Sequence, residues 1–393
     1  MGTPEFMPVN IGIRSLKQEA PSVKAKRMLH NNTHIDRINT KLMVVRDYSL
    51  YIKSLMHENN RKNDVDKPVS IWKELDRLRG SPEKTMVCIF RTTGCAWYKF
   101  TACSMCGYFN DTSPEIVDEN LMRQVDTLYD SLNDTKVLKI FTSGSFLDPN
   151  EVHPAVRDYF IDRMKDKVDK LLVESRTEYI KHETLQPFKK AKMDLRIAIG
   201  LESADDYIMK YSVNKGSTLK KFIDAAKILQ QEKIELRTYL LFKPPFISEK
   251  MAIEDIEKSV SIVAPYSADI SINPMNIQKN TLVEKLWKKG LYRPPRLYSL
   301  AKILIDLGSQ YPVLSYPTGG NKERGVHNDK YDGKLLDLIM QSSLDHDFAE
   351  LSAYYNSLNL EDYRYDLELE DKMFFQGDYM TLLKRLSGSS ITY

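Results

Sequence analysis

From Met86 onward, short apolar runs alternate with helical stretches of about a dozen residues, and this alternation restricts the chain to parallel β/α units more than any other feature. The runs read as strands are Met86–Arg91, Val137–Thr142, Lys170–Ser175, Leu195–Leu201, Glu235–Phe242 and Ala268–Ile272. Helices are expected near Ile116–Leu132, Pro154–Val168, Glu178–Lys190, Thr218–Glu232 and Ser248–Val263. Six units are too few for a closed eight-stranded barrel, which leaves an open partial barrel or an open doubly wound sheet. With 393 residues the chain suffices for one large domain with extensions.

The flanks read less clearly. Residues 1–6 look like a cloning remnant and 7–40 like a polar arm. Thr40–Met56 reads as a helix, and Ser70 as the N-cap of another that runs through Leu78 until Gly80-Ser81-Pro82 ends it. Tyr311–Tyr316 reads as a further strand, and acidic helices follow near Lys334–Gln341 and Asp345–Leu358. The expected division is therefore 7–84 for the arm and its helices, 85–295 for the β/α body and 296–393 for a C-terminal extension. No run of about 18 apolar residues and no secretory signal is visible, so a cytoplasmic protein without a membrane span is expected. Net charge is +3, split as about +6 over 1–62, about +4 over 63–330 and about −7 over 331–393. A basic body with an acidic tail suits a polyanionic partner through one face, or else solvated faces of mixed sign.

Three of the four cysteines, Cys95, Cys103 and Cys106, crowd into the loop after the first strand. Clustered thiolates select zinc or an iron–sulfur centre. A closed zinc site needs a fourth ligand, for which only Cys88 is at hand, and Cys88 lies inside the strand-like run. Three cysteines on a cubane instead leave one iron open to a small molecule. Function in such folds collects in the loops after each strand. Those loops carry Ser143, Gly144 and Ser145, where glycine permits close backbone approach to a ligand; Glu174 and Arg176, an arginine fork suited to a carboxylate; and Glu202, a carboxylate that burial would oblige to find a partner. Lys243 reads as solvated. Lys279, Lys285, Lys288, Lys289, Arg293 and Arg296, interleaved with Trp287 and Tyr292, form a basic run suited to nucleic-acid phosphates or to the end of a helix.

The loop from Cys95 to Asp111, the upstream Trp-Lys-Glu-x-Asp-Arg-Leu-Arg of Trp72–Arg79 and the Thr-Ser-Gly-Ser-Phe-Leu-Asp-Pro of Thr142–Pro149 together resemble the archaeal radical S-adenosylmethionine enzymes of archaeosine formation. Glu174-Ser175-Arg176-Thr177-Glu178-Tyr179-Ile180 is similar to an element of the Elongator catalytic subunit group within the same superfamily. The resemblance implies a partial (β/α)6 TIM-type barrel with an N-terminal helical arm and an acidic C-terminal extension. It implies a 4Fe-4S cluster on Cys95, Cys103 and Cys106, and S-adenosylmethionine held by Met105, Tyr108, Ser143, Gly144, Ser145, Glu174, Arg176 and Glu202. A 5'-deoxyadenosyl radical would then act on a transfer RNA whose D-arm 7-cyano-7-deazaguanine carries lysine, attached by a partner archaeosine synthase. Breaking the lysine C–N bond leaves archaeosine, and the chemistry requires an electron donor. The superfamily's usual spacing is three residues and then two, whereas here seven and then two separate the cysteines, and Met105 stands where an aromatic residue is common. The alternatives are another Elongator-like RNA modifier, or a zinc-bearing nucleic-acid-binding module on Cys88, Cys95, Cys103 and Cys106.

Overall fold

A computed structural model describes residues 48–55 and 63–377. The polar arm, most of the Thr40–Met56 helix and the tail after residue 377 lie outside the described residues; of that helix, 48–54 is present and is α1. One eight-stranded sheet runs in sequence order: β1 (Ser70–Asp76), β2 (Glu83–Ile89), β3 (Val137–Phe141), β4 (Lys170–Glu174), β5 (Asp194–Glu202), β6 (Glu235–Phe242), β7 (Asp269–Pro274) and β8 (Val313–Leu314). β2 through β8 are parallel neighbours and β1 is antiparallel to β2. The sheet curls into a partial barrel. Its outer helices are α3 (Asp118–Ser131), α4 (Pro154–Met164), α5 (His182–Lys190), α6 (Leu219–Glu232) and α7 (Glu249–Val263). Buried parallel strands are continuous apolar runs, which is why all six expected strands stand within a few residues of their positions. Thr218 and Ser248 cap α6 and α7 by accepting from the Lys221 and Met251 amides.

The segment from Ser70 is a strand, not the expected helix. Ile71, Leu75 and Leu78 fall at helical spacing, but pairing with β2 sets Glu74 and Asp76 on one face, where both meet Lys139 of β3. Asp76 also pairs with Arg237 of β6, which grips Asp269 of β7. Burial alone would raise the Asp76 carboxyl, but Arg237 and Lys139 hold it well below the usual range. Leu78 packs beneath the sheet against Val137, Leu172 and Ala198. Together these groups fill the barrel at the strands' amino ends and leave the carboxyl ends open.

After α8 (Leu282–Lys288), the chain packs α9 (Leu297–Gly308), α10 (Gly333–Asp345), α11 (Ala349–Asn356) and the acidic α12 (Glu361–Gly377) around the last strands. Lys243 is buried and not solvated, because Glu249 and Glu370 each lie 3.0 Å from its ammonium. Arg296 is buried too, paired with Glu249 at 3.3 Å and Asp366 at 3.1 Å, so it is not available to a phosphate. Among the described residues no helix is long and apolar enough to cross a membrane.

Candidate functional site

The chain leaves β2 through Gly94, whose φ of +92° turns it into Cys95, the N-cap of a five-residue helix, α2 (Ala96–Phe100). The seven residues between the first two cysteines are thus mostly one added helical turn. Its inner face shields the loop. The Trp97 indole N–H donates to the Asn214 carbonyl at 2.9 Å, and Tyr98 stacks on Phe109 with centroids 5.0 Å apart. Cys103 and Cys106 follow, and all three thiols line one pocket with Trp97, Tyr98, Phe109 and Ser143. A second anchor comes from beyond β5, where Ile208–Val213 forms a π-helix, a geometry frequent at functional sites. Ser104 donates its hydroxyl to Ser212 O and its amide to Val213 O, both at 2.7 Å.

The remaining strand ends converge on this loop. A Cβ on Gly144 would lie 2.6 Å from Cys95 Cα, so only glycine allows that approach. Ser145 donates its amide to Glu151 Oε2 at 2.5 Å and accepts the Arg176 amide at 2.9 Å, which ties the ends of β3 and β4 together. Glu174 has no ion pair with Arg176. Burial pushes its carboxyl up to about 8, Glu202 and Glu151 add to that, and Tyr239's hydroxyl and Lys215 oppose it. Arg176 instead holds Glu178 at 2.6 Å, with its guanidinium 5.8 Å from the centre of the Trp97 ring. At the end of β5 a register shift between Gly200 and Glu202 accompanies a φ of +73° at Glu202. This aims the carboxylate at Lys215, 2.6 Å away. Met105 is half-buried within the loop, and Tyr108 is exposed at its end, where its carbonyl accepts from Ser143 at 3.3 Å.

Lys215, Glu151 and Tyr239 are site groups that carry no motif, so reading strand ends alone passes over them. Burial pushes the Cys103 thiol up to about 11, against the opposing fields of Lys215 and Arg176. Three thiols share the pocket with an aromatic wall and two nearby cations, a donor set suited to a thiolate-bound group. Cys88, the fourth ligand of the zinc alternative, does not line this pocket and is fully buried among apolar side chains of the main core. Among the described residues no three His, Cys, Asp or Glu side chains converge closely enough to hold a single ion.

Of the basic run, Lys279, Lys288 and Lys289 are exposed, while Lys285 lies over the Tyr51 ring at 5.0 Å and Arg293 pairs with Asp329 at 2.9 Å. A wider depression between α4 and α5, lined by Asp158, Lys165 and Lys190, sits on the outer surface away from these groups.

No protein-family model matches the sequence. Among solved structures it is similar to queuine lyase from Clostridium spiroforme bound to SAM and queuine, with a TM-score of 0.41 and 20% identity over 52% of this chain and 80% of that one. It is also similar to the archaeal Elp3 of Methanocaldococcus infernus, with a TM-score of 0.42 and 15% identity over 64% of this chain and 61% of that one. In sequence it is 35% identical to archaeosine synthase subunit beta of Thermococcus kodakarensis, over 68% of this chain and 88% of the relative. It is 36% identical to archaeosine synthase subunit beta of Methanosarcina acetivorans, over 79% of this chain and 95% of the relative. At that identity over nearly the whole relative, the chain belongs to the archaeosine synthase subunit beta family.

Proposed function

We propose that the protein is the radical S-adenosylmethionine subunit of an archaeosine-forming enzyme. Its substrate is transfer RNA bearing the lysine adduct of 7-cyano-7-deazaguanine, and its reaction is cleavage of the C–N bond to the lysine moiety. A partner synthase attaches the lysine, and an electron donor reduces the cluster. The observation that carries the reading is the single pocket shared by Cys95, Cys103 and Cys106 where the strand ends converge. Membership of a family whose relatives are named archaeosine synthase subunit beta supports it.

In this reading the three cysteines hold a 4Fe-4S cluster. When bound, the cluster supplies one-electron reductive cleavage of the sulfonium of S-adenosylmethionine, the source of hydrogen abstraction from substrate. The protein groups position and exclude. Gly144 and Ser143 bring backbone close to the cofactor, and Met105 and Tyr108 offer the loop's outer edge to its adenosine. Arg176 is the fork for its carboxylate. Glu174 and Glu202 accept from its ammonium or ribose hydroxyls, with Ser145 fixing the turn beneath them. Trp97, Tyr98 and Phe109 keep water from the thiols.

Anaerobic purification should yield about four irons per protein molecule. Dithionite and S-adenosylmethionine should then release 5'-deoxyadenosine, and lysine-adduct transfer RNA should become archaeosine by mass spectrometry. Alanine at any of Cys95, Cys103 or Cys106 should abolish both iron loading and cleavage. One tightly held zinc without cleavage would overturn the reading; cleavage without conversion of the adduct would overturn the assigned substrate.

A further inference from the structure

We infer that α2, the turn added between the first two cysteines, is an RNA-docking element, and that with α1 and α8 it forms one composite rim at the barrel mouth. The inference rests on the RNA-substrate reading above. α2 has two faces with different duties. Trp97 and Tyr98 point inward, and the Trp97 ring lies so close to Gly216 that a Cβ there would stand 2.5 Å from it. Lys99 and Phe100 point outward, and Phe100 is 78% exposed. A phenylalanine left in water three residues before a pocket cysteine adds nothing to the core, and its flat apolar face suits an unstacked base.

Sequence-distant cations complete the rim. Thr101, next to Phe100, donates its hydroxyl to Ser49 O at 2.8 Å, which locks α1 beside α2. Ile52 of α1 packs with Ala102, which follows Thr101, and with Leu282 and Leu286 of α8. Lys285 there covers Tyr51, Lys288 reaches Glu284 at 3.2 Å but is 60% exposed, and Lys289 and Leu291 face water. Lys279 closes the arc, its carbonyl accepting from Asn110, two residues beyond the exposed Tyr108.

Protein-binding patches are depleted of lysine and gather their apolar groups at a dry centre. This rim instead spaces single aromatic rings between lysines, the pattern that phosphates and splayed bases recognise. A base within the D arm reaches the thiol pocket only if it leaves its stack. Phe100 is placed to stack on a base at that opening while the lysines hold flanking phosphates.

The test is binding of unmodified transfer RNA transcript by fluorescence anisotropy across salt concentration. The combined variant Lys99→Glu, Lys288→Glu, Lys289→Glu should bind at least about tenfold more weakly, with a salt slope shallower by about two to three. Phe100→Ala should lose about fivefold or more in affinity with the slope unchanged. Lys136→Glu, exposed before β3 at the opposite end of the barrel, should bind as the unaltered protein does. Wild-type affinity and slope in the triple variant would overturn the docking surface, and wild-type affinity in Phe100→Ala would overturn the stacking role. Because binding is read without turnover, a protein that binds with the expected slope yet fails to convert the lysine adduct counts against the proposed reaction and not against this surface.

Discussion

Gly144 marks how tightly the cysteine loop is fitted. A methyl there would meet Glu151 Oε2 at 2.5 Å and Cys95 Cα at 2.6 Å, and the second is backbone that cannot swing aside. Gly144→Ala is therefore expected to cost about 1–3 kcal/mol of stability and to displace Cys95. Iron bound per protein molecule after anaerobic reconstitution should fall clearly below wild type, whereas full loading would show that the close approach is not needed. Lys215 is the other single residue on which the site turns, because it neutralises Glu202 and favours thiolate at Cys103. Lys215→Met leaves the half-buried Glu202 carboxylate without its cation, at a cost of about 1–3 kcal/mol, and a thermal melt unchanged from wild type would refute that. Sequence marks Gly144 through its turn but gives no sign of Lys215, which gains its role only because the π-helix returns it over the strand ends.

Among the elements, that π-helix and the cysteine loop are joined through Ser104 and, at the C-cap of the helix, through Asn214, whose side-chain amide donates to Ala102 O at 2.7 Å. Ser104→Ala leaves the backbone bond to Val213 in place but removes the donor to Ser212 O, an expected loss of about 1 kcal/mol. Thermal unfolding should show it as a midpoint lower by about 1–3 °C, with iron released earlier on heating than in wild type. At this scale the sequence is legible where one element decides its own state. The six apolar strands and the helices that begin at Thr218 and Ser248 are local signals, and each stands close to its expected position. β1 is not local in this sense. Its apolar residues keep helical spacing, and only Lys139 and Arg237, contributed by strands formed later in the sequence, draw its carboxylates into a sheet. Lys243 and Arg296 mislead because they converge on the same buried Glu249 and pair besides with Glu370 and Asp366 of α12, more than sixty residues on from either.

Over the whole molecule, two buried acids on α7 make stability depend on pH in opposite directions. Burial would raise Glu249, yet Lys243 and Arg296 overcome it and hold the carboxyl down to about 2. Its contribution is complete above the ordinary carboxylate range and is lost as pH falls toward 2. Burial, with Asp205 adding to it, pushes the Asp255 carboxyl up to about 7, although Ser203 donates to it at 2.7 Å and the field of Lys258 opposes the shift. A folded state that binds the proton more tightly than the unfolded state is favoured at low pH, so this contribution is lost as pH rises from about 4 through about 7. Asp255→Asn keeps an acceptor for Ser203 and removes the titration. Urea unfolding at pH 5 and pH 8 should show the wild type losing on the order of a few kcal/mol more than Asp255→Asn over that interval. Glu249→Gln should be less stable than wild type at both values and should converge with it only as pH approaches 2. Parallel pH profiles for wild type and Asp255→Asn would mean that the carboxyl is already ionised at pH 5, and the burial argument for Asp255 would fail.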